Sequence, residues 1–186
     1  MQIQEELKLE EINKAVNILK KGGIVIFPTD TVYAIGCLWN NMLAKARLRR
    51  IKVSHQNFPI LIDNLSQLHQ LAKVNGPAQQ LINKFWPGAL TIVLKSKHGS
   101  GKVGIRMPKS KIARALIAGT GAPLIGTSAN FHAKESPKKY EDLDDNLKKL
   151  VDFTVEGMCE LKKESTVVDA TTIPFKILRY GALTIT

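Results

Sequence analysis

The side chains best suited to chemistry stand where apolar runs stop. Ile24-Val25-Ile26-Phe27 leads directly into Pro28-Thr29-Asp30-Thr31-Val32-Tyr33, and ligands of α/β proteins favour the carboxyl ends of strands. Two hydroxyls, a carboxylate and a phenol there supply varied donors and acceptors, although Thr and Asp also favour turns for local reasons. The apolar run 123–127 ends in Ser128-Ala129-Asn130, small groups that can grip phosphate oxygens or a hydrated metal without crowding them. Val103-Gly104-Ile105-Arg106-Met107-Pro108 sets a lone arginine in an apolar strand. Such a guanidinium needs an anionic partner, and a carboxylate or phosphate fits its fork. An internal Asp or Glu is the competing partner. Ser165-Thr166-Val167-Val168-Asp169 and Ile177-Leu178-Arg179-Tyr180-Gly181 add a serine and a second arginine. Asp169 reads as a structural strand-end carboxylate.

Several familiar sites are excluded. There is no G-x-x-x-x-G-K-S/T loop and no G-x-G-x-x-G opening a helix; Gly99-Ser100-Gly101 reads as a hairpin turn. His55, His69, His98 and His132 show no zinc spacing with one another or with Cys37 and Cys159.

The elements that must position these groups follow from periodicity and punctuation. Leu9, Ile12, Val16 and Leu19 recur at helical spacing, and Gly22-Gly23 ends that helix. A strand over 24–27 stops at Pro28. A cation-rich helix starts at Asn40 or Asn41 and runs to about Lys52, carrying Lys45, Arg47, Arg49 and Arg50. A strand over 59–62 precedes helices over 65–72 and 77–85, broken at Asn75-Gly76. Trp86-Pro87-Gly88 is a turn, with Trp86 in the core. Strands over 89–95 and 103–107, a helix over 109–118 and a strand over 123–127 follow. A polar loop spans 128–139, a helix 140–150, and strands 151–155, 166–170 and 175–180. Helices and strands interleave without repeat or linker. The expectation is one α/β domain over residues 1–186, with a twisted mixed sheet flanked by helices.

Composition sets the partners. The chain has 186 residues, 27 Lys and Arg against 16 Asp and Glu, and a net charge of +11. Such a field attracts nucleotides, RNA or acidic surfaces. Two cysteines make no disulfide framework, so a reducing cytoplasmic setting is expected. The acidic, polar start MQIQEELKLEE does not read as a secretory signal, and no apolar run is long enough to span a bilayer.

Taken in order, these blocks resemble the YrdC family of threonylcarbamoyl-AMP synthases in its short, single-domain form. The family pattern runs P-T-D/E-T-V-Y-G-L-G, K-x-R, W-P-G-x-x-T, V-A/G-V/I-R-x-P, S-A-N-x-S-G-x-x-S, S-T-V-V/I-D and I-L/I-R-x-G. This chain matches it at residues 28–36, Lys52, Trp86-Pro87-Gly88 with Thr91, 103–108, Ser128 to Asn130 with Ser136, 165–169 and 177–181. The resemblance implies an open, basic-cleft fold and a nucleotidyltransferase, an L-threonylcarbamoyladenylate synthase. It would join L-threonine, bicarbonate or CO2, and ATP, with Mg2+ on the phosphates, and release pyrophosphate. The product serves threonylcarbamoyladenosine modification of tRNA through a downstream threonylcarbamoyl transferase complex.

Carried over residue by residue, the resemblance places Thr31, Tyr33, Arg106 and Ser165 at threonine. It places Lys52, Ser128, Asn130, Ser136 and Arg179 at ATP, with Lys52 and Arg106 closest to the chemistry. The pattern departs at Lys52-Val53-Ser54, where the arginine of K-x-R is Ser54, and at Ala34, Phe58, Asp63 and Phe131-His132-Ala133. Losing a charge-assisted contact costs about 1.5–3 kcal/mol, roughly tenfold to over a hundredfold in affinity. His55, Arg49 or Arg50 are the candidates to compensate. Two other readings stand beside the synthase. One is a module binding double-stranded RNA or tRNA through residues 47–52. The other is a divergent paralogue that keeps the nucleotide pocket and takes another acceptor.

Overall fold

The computed structural model describes residues 2–54, 57–131 and 134–185. In chain order the elements are α1 (Gln2–Lys20), β1 (Val25–Pro28), β2 (Tyr33–Leu38), α2 (Met42–Lys52), β3 (Ile60–Leu61), α3 (Leu65–Leu71), β4 (Ala72–Lys73) and α4 (Gly76–Phe85). Then come β5 (Leu90–Ser96), β6 (Lys102–Arg106), α5 (Lys111–Thr120), β7 (Leu124–Ser128), a 3-10 turn (Tyr140–Asp142), α6 (Asp145–Lys149), β8 (Phe153–Thr154), β9 (Thr166–Asp169) and β10 (Lys176–Arg179).

The strands form one mixed sheet in the order β10-β9-β5-β6-β3-β7-β2-β1-β8, with β4 paired to β5. The pairs β1/β8, β3/β6 and β5/β9 are parallel and the others antiparallel. Helix starts follow local chemistry. Asn41, Asn64, Asn75 and Ser110 each accept a backbone N–H of the first turn, and Gly121 ends α5 in the left-handed region.

Side chains alternate across the strands, and this alternation creates the site. Leu90, Ile92 and Leu94 of β5, Ile105 of β6 and Val168 of β9 pack with α3 and α4 residues such as Leu68, Leu71, Leu81 and Ile82. The residues between them, Thr91, Val93, Gly104, Arg106 and Val167, face the opposite side and line an open cleft. At the other end of the sheet, α1 and α5 cover Val25, Phe27, Ala34 and Leu124. There α2 and α6 pack on the reverse face over Ile24, Ile26, Tyr33, Ile35 and both cysteines, Cys37 and Cys159, which are free and buried. Burial pushes each of these thiols up to about 11. Gly36 leaves no room for a side chain between β2 and β7, for a Cβ there would lie 2.0 Å from the Ile125 carbonyl oxygen.

Four expectations change. Pro28 is the last residue of β1 rather than its stop, paired with Tyr33. Residues 33–38, given no element from the sequence beyond the strand end at Tyr33, form β2, in the antiparallel hairpin with β1. The helix expected over 140–150 is divided: its apolar spacing survives in Leu143 and Leu147, but the Asp144 side chain caps a new helix by accepting from the Asn146 N–H. The strand expected over 151–155 is reduced to β8.

Candidate active site

The cleft has a volume of about 740 Å3. Nearly every side chain singled out from the sequence reaches it: Thr31, Tyr33, Lys52, Arg106, Ser128, Asn130, Ser165 and Arg179 all line its walls. Ser136 does not. It stands behind the wall, where its hydroxyl donates to Glu164 Oε1 at 2.6 Å, and Glu164 lines the cleft in its place.

Arg106 is held at the cleft floor by the period of β6. Its Nη2 donates to Asp30 Oδ1 at 2.7 Å, its Nη1 to Thr31 Oγ1 at 2.7 Å and its Nε to the Gly88 carbonyl at 2.9 Å. Arg106 and Asp30 are only 5% and 2% exposed. The internal carboxylate considered for Arg106 is therefore real, and the arginine is a buried ion pair as well as a cleft residue. Burial draws its guanidinium down and the Asp30 carboxylate holds it up. Asp30 Oδ1 also accepts the Lys109 N–H, while Oδ2 is buried with no hydrogen-bond partner among the described residues. Two guanidinium N–H groups remain for a ligand, since three of the five are committed.

The hydroxyls beside it have a defined polarity. Thr29 donates to the Val32 carbonyl at 2.7 Å, so in its 2.9 Å contact with Thr31 it accepts and Thr31 donates. Thr31 thus presents only lone pairs to Arg106 and to a ligand, which suits an incoming ammonium or hydroxyl donor. Tyr33 differs from expectation. It borders the cleft, but its ring is fully buried under α2 and α6 and its hydroxyl proton is committed to the Gly157 carbonyl at 2.7 Å. Burial raises its pKa well above the usual range.

Lys52 occupies what helical spacing makes a core position. Ala44, Leu48 and Lys52 are the buried residues of α2, four apart. Its ammonium donates to the Ser128 carbonyl at 2.8 Å, to the Asn130 carbonyl and to Asn130 Oδ1 at 2.9 Å. Ser128 Oγ donates to the same amide oxygen at 2.8 Å. Burial pulls the Lys52 pKa down to about 8, while its three oxygen acceptors favour the protonated form. Across the cleft, Arg179 donates through Nε to the Ser165 carbonyl at 3.0 Å and through Nη2 to Ser165 Oγ at 3.2 Å. Thr91 Oγ1 lies 2.8 Å from Ser165 Oγ. Thr91, Lys102 and Glu164 were not assigned a role from sequence; the alternation of β5 was the available signal for Thr91.

The departures from the family pattern are not all in the cleft. Ser54, Ala34 and Phe58 line it. Asp63 pairs instead with Arg114 at 2.7 Å and is not a wall residue. His55, His132 and Ala133 lie outside the described residues. Ser54 follows Val53, whose φ of 45° is left-handed, uncommon for a β-branched residue and strained by about 1–2 kcal/mol. Replacing Val53 by Gly is expected to stabilise the fold by roughly 1 kcal/mol, net of glycine's backbone entropy; a urea titration would read this as a higher midpoint.

The cationic run 47–52 is also divided. Arg47 is committed to Asp152 and the Leu150 carbonyl, and Lys52 turns inward, so only part of the run faces outward as a basic surface. Trp86 and Asp169 are structural, as expected. Trp86 packs beside the α3/α4 core and donates to the Leu90 carbonyl, and Asp169 pairs with Lys102 at 2.7 Å. No helix among the described residues is long and apolar enough to cross a membrane.

A family model described as "Telomere recombination" and labelled Sua5_yciO_yrdC matches residues 17–181. The chain belongs to the Sua5/YciO/YrdC family. Threonylcarbamoyl-AMP synthase of Bacillus subtilis is 35% identical over 94% of this chain and 54% of its own. The crystal structure of Pyrococcus abyssi Sua5 complexed with L-threonine superposes with a TM-score of 0.85, at 31% identity, over 91% of this chain and 54% of that one. Escherichia coli YciO matches with a TM-score of 0.83 and 32% identity, over 91% and 88%. The chain thus spans about half the length of the first two proteins and most of YciO. These likenesses agree with the mixed sheet and flanking helices found here.

Proposed function

We propose that the chain is an L-threonylcarbamoyladenylate synthase that joins L-threonine, bicarbonate or CO2, and ATP, releasing pyrophosphate. The observation that carries this reading is the pairing of two cationic poles across one cleft. At one, Arg106 keeps two N–H groups free beside the lone pairs of Thr31, a match for an amino acid's carboxylate and ammonium. At the other, the Lys52 ammonium, held in place by the Ser128 and Asn130 oxygens, sets a fixed positive charge in the wall that would face phosphate oxygens. Arg179 and Ser165 close the remaining side. Catalysis here is positioning and charge neutralisation: the carbamate oxygen must meet the α-phosphorus in line, with the charge on the phosphates balanced by fixed cations.

A Mg2+ ion fits only as one carried on the nucleotide. The cleft walls offer a single carboxylate, Glu164, and no group of three or more His, Cys, Asp or Glu able to hold a metal occurs among the described residues. Such an ion would supply charge neutralisation on the phosphates, and Glu164 is the residue that would face it. The product would pass, in the cytoplasm, to a transferase acting on tRNA.

The deciding assay is pyrophosphate release from the folded protein with Mg2+. Release that requires threonine and bicarbonate together supports the reading. ATP turnover indifferent to threonine, or dependent on a different amine, refutes it in favour of another acceptor. Ser54→Arg tests the phosphate wall directly. An added guanidinium is expected to tighten ATP binding by roughly tenfold to a hundredfold, read by calorimetric titration with a non-hydrolysable analogue.

A further inference from the structure

We propose that a second cavity, on the reverse side of the sheet from the cleft, is a phosphate-binding pocket with Arg49 and Lys45 as its ligands. The cavity has a volume of about 240 Å3. Its floor is apolar, because Ile60 and Ile125, register partners across β3 and β7, face it while their neighbours Leu61 and Gly126 face the cleft. Its rim is cationic. Lys45 and Arg49 stand four residues apart on α2, hence on one helix face, and Lys102 joins them from the start of β6. No Asp or Glu stands among its described lining residues. Lys102 meets Asp169 at 2.7 Å but remains 54% exposed, so its ammonium keeps donors for a further partner.

Lys45 and Arg49 repel each other across an apolar floor, Lys102 being already balanced by Asp169, and an anion shared between the cations lowers that cost. A solvated helix face would spread such charges outward. Here Trp39 and His98, with ring centroids 5.4 Å apart, border the cavity on one side, while Arg49 and Lys102 stay exposed at its mouth and Lys45 is half-buried. The pocket is also continuous with the cleft, since Asn57, Phe58 and Lys102 line both, and Arg49 Nη2 reaches Asn57 Oδ1 at 3.4 Å. A phosphate group can therefore arrive in two ways, as the terminal phosphates of a nucleotide held in the cleft or as free pyrophosphate leaving it. Naming pyrophosphate rests on the synthase reading; a pocket for phosphate does not.

Binding of inorganic pyrophosphate, AMP and an α,β-methylene ATP analogue would be titrated into the wild type, Arg49→Ala and Lys45→Gln. The expected result is that pyrophosphate affinity falls about tenfold or more in Arg49→Ala and falls also in Lys45→Gln, with AMP affinity unchanged. If the ATP analogue weakens in parallel, the pocket takes the nucleotide's terminal phosphates; if only pyrophosphate weakens, it takes the departing product. Pyrophosphate affinity unchanged in both variants overturns the proposal, as does a wild type that binds no pyrophosphate, or an equal loss of AMP. A wild type that shows Arg49-dependent pyrophosphate binding but no threonine-dependent release would sink the synthase reading and leave the pocket standing.

Discussion

Replacing Asp30 by alanine is expected to destabilise the protein by about 3–5 kcal/mol, the loss typical when one partner of a buried ion pair is removed. In a chain of this size that corresponds to a fall in melting temperature on the order of 10 °C. The reason lies in what Arg106 would keep. Its remaining acceptors, Thr31 Oγ1 and the Gly88 carbonyl, are neutral, and the guanidinium stays shut from bulk solvent. Asp30→Asn preserves an acceptor for the Lys109 N–H but not the charge, and should fall between alanine and wild type. The double variant Asp30→Ala/Arg106→Met should recover much of the loss, because an apolar pair of similar volume removes the uncompensated charge, yet it should bind no threonine. Thermal melting of the four proteins, with threonine binding measured beside it, separates the structural part of the pair from its part in recognition. A single alanine variant as stable as wild type would show that water, not Asp30, balances Arg106.

The second large effect is expected at Lys52. Lys52→Met removes the fixed positive charge of the phosphate wall and leaves the Ser128 and Asn130 oxygens around it without the ammonium that orders them. Nucleotide affinity should fall roughly tenfold to a hundredfold. A distinct signature comes from pH. The Lys52 pKa lies at about 8 in the folded chain against an ordinary 10.5, so the unfolded chain binds more protons between those values. Stability contributed by this group therefore rises as pH climbs from about 8 to 10.5 and is flat below. Nucleotide binding needs the ammonium and moves the opposite way, weakening as pH passes about 8. Lys52→Arg holds its charge throughout and should abolish both trends. Parallel urea and nucleotide titrations between pH 7 and 10 test this; trends of the same sign would exclude Lys52 as the phosphate cation.

The sequence made the cleft's membership readable because strand alternation and strand-end polarity are local. Thr91 and Arg106 follow from a period of two, and Lys52 from a helical spacing of four. What it did not show were the partners. Asp30 and Arg106 are 76 residues apart, and their contact depends on β3, β7 and β2 lying between β6 and β1 in the sheet. The resemblance placed Tyr33 at threonine, and the residue does border the cleft. The parity that puts Ala34 toward the cleft sends the Tyr33 ring the other way, onto Gly157. The strand β2 carries Ala34 and Gly36, poor strand formers by themselves, and owes its state to pairing on both edges. The helix expected over 140–150 failed for the converse reason. Its apolar spacing is helical, but an Asp at position 144 offers the backbone a better local bond.

The two thiols under α2 and α6 make the fold a clock for its own opening. Cys37 and Cys159 are 0% and 1% exposed, come from β2 and from the segment after β8, and belong to one packed cluster. A thiol-specific reagent has no path to either while that cluster is closed, and their raised pKa values keep the reactive thiolate scarce even at mildly alkaline pH. The rate at which the native protein is labelled then measures how often the cluster under α2 and α6 opens. Because α2 also carries Lys52, a ligand that bridges Lys52 to the rest of the cleft should slow that labelling without touching either cysteine.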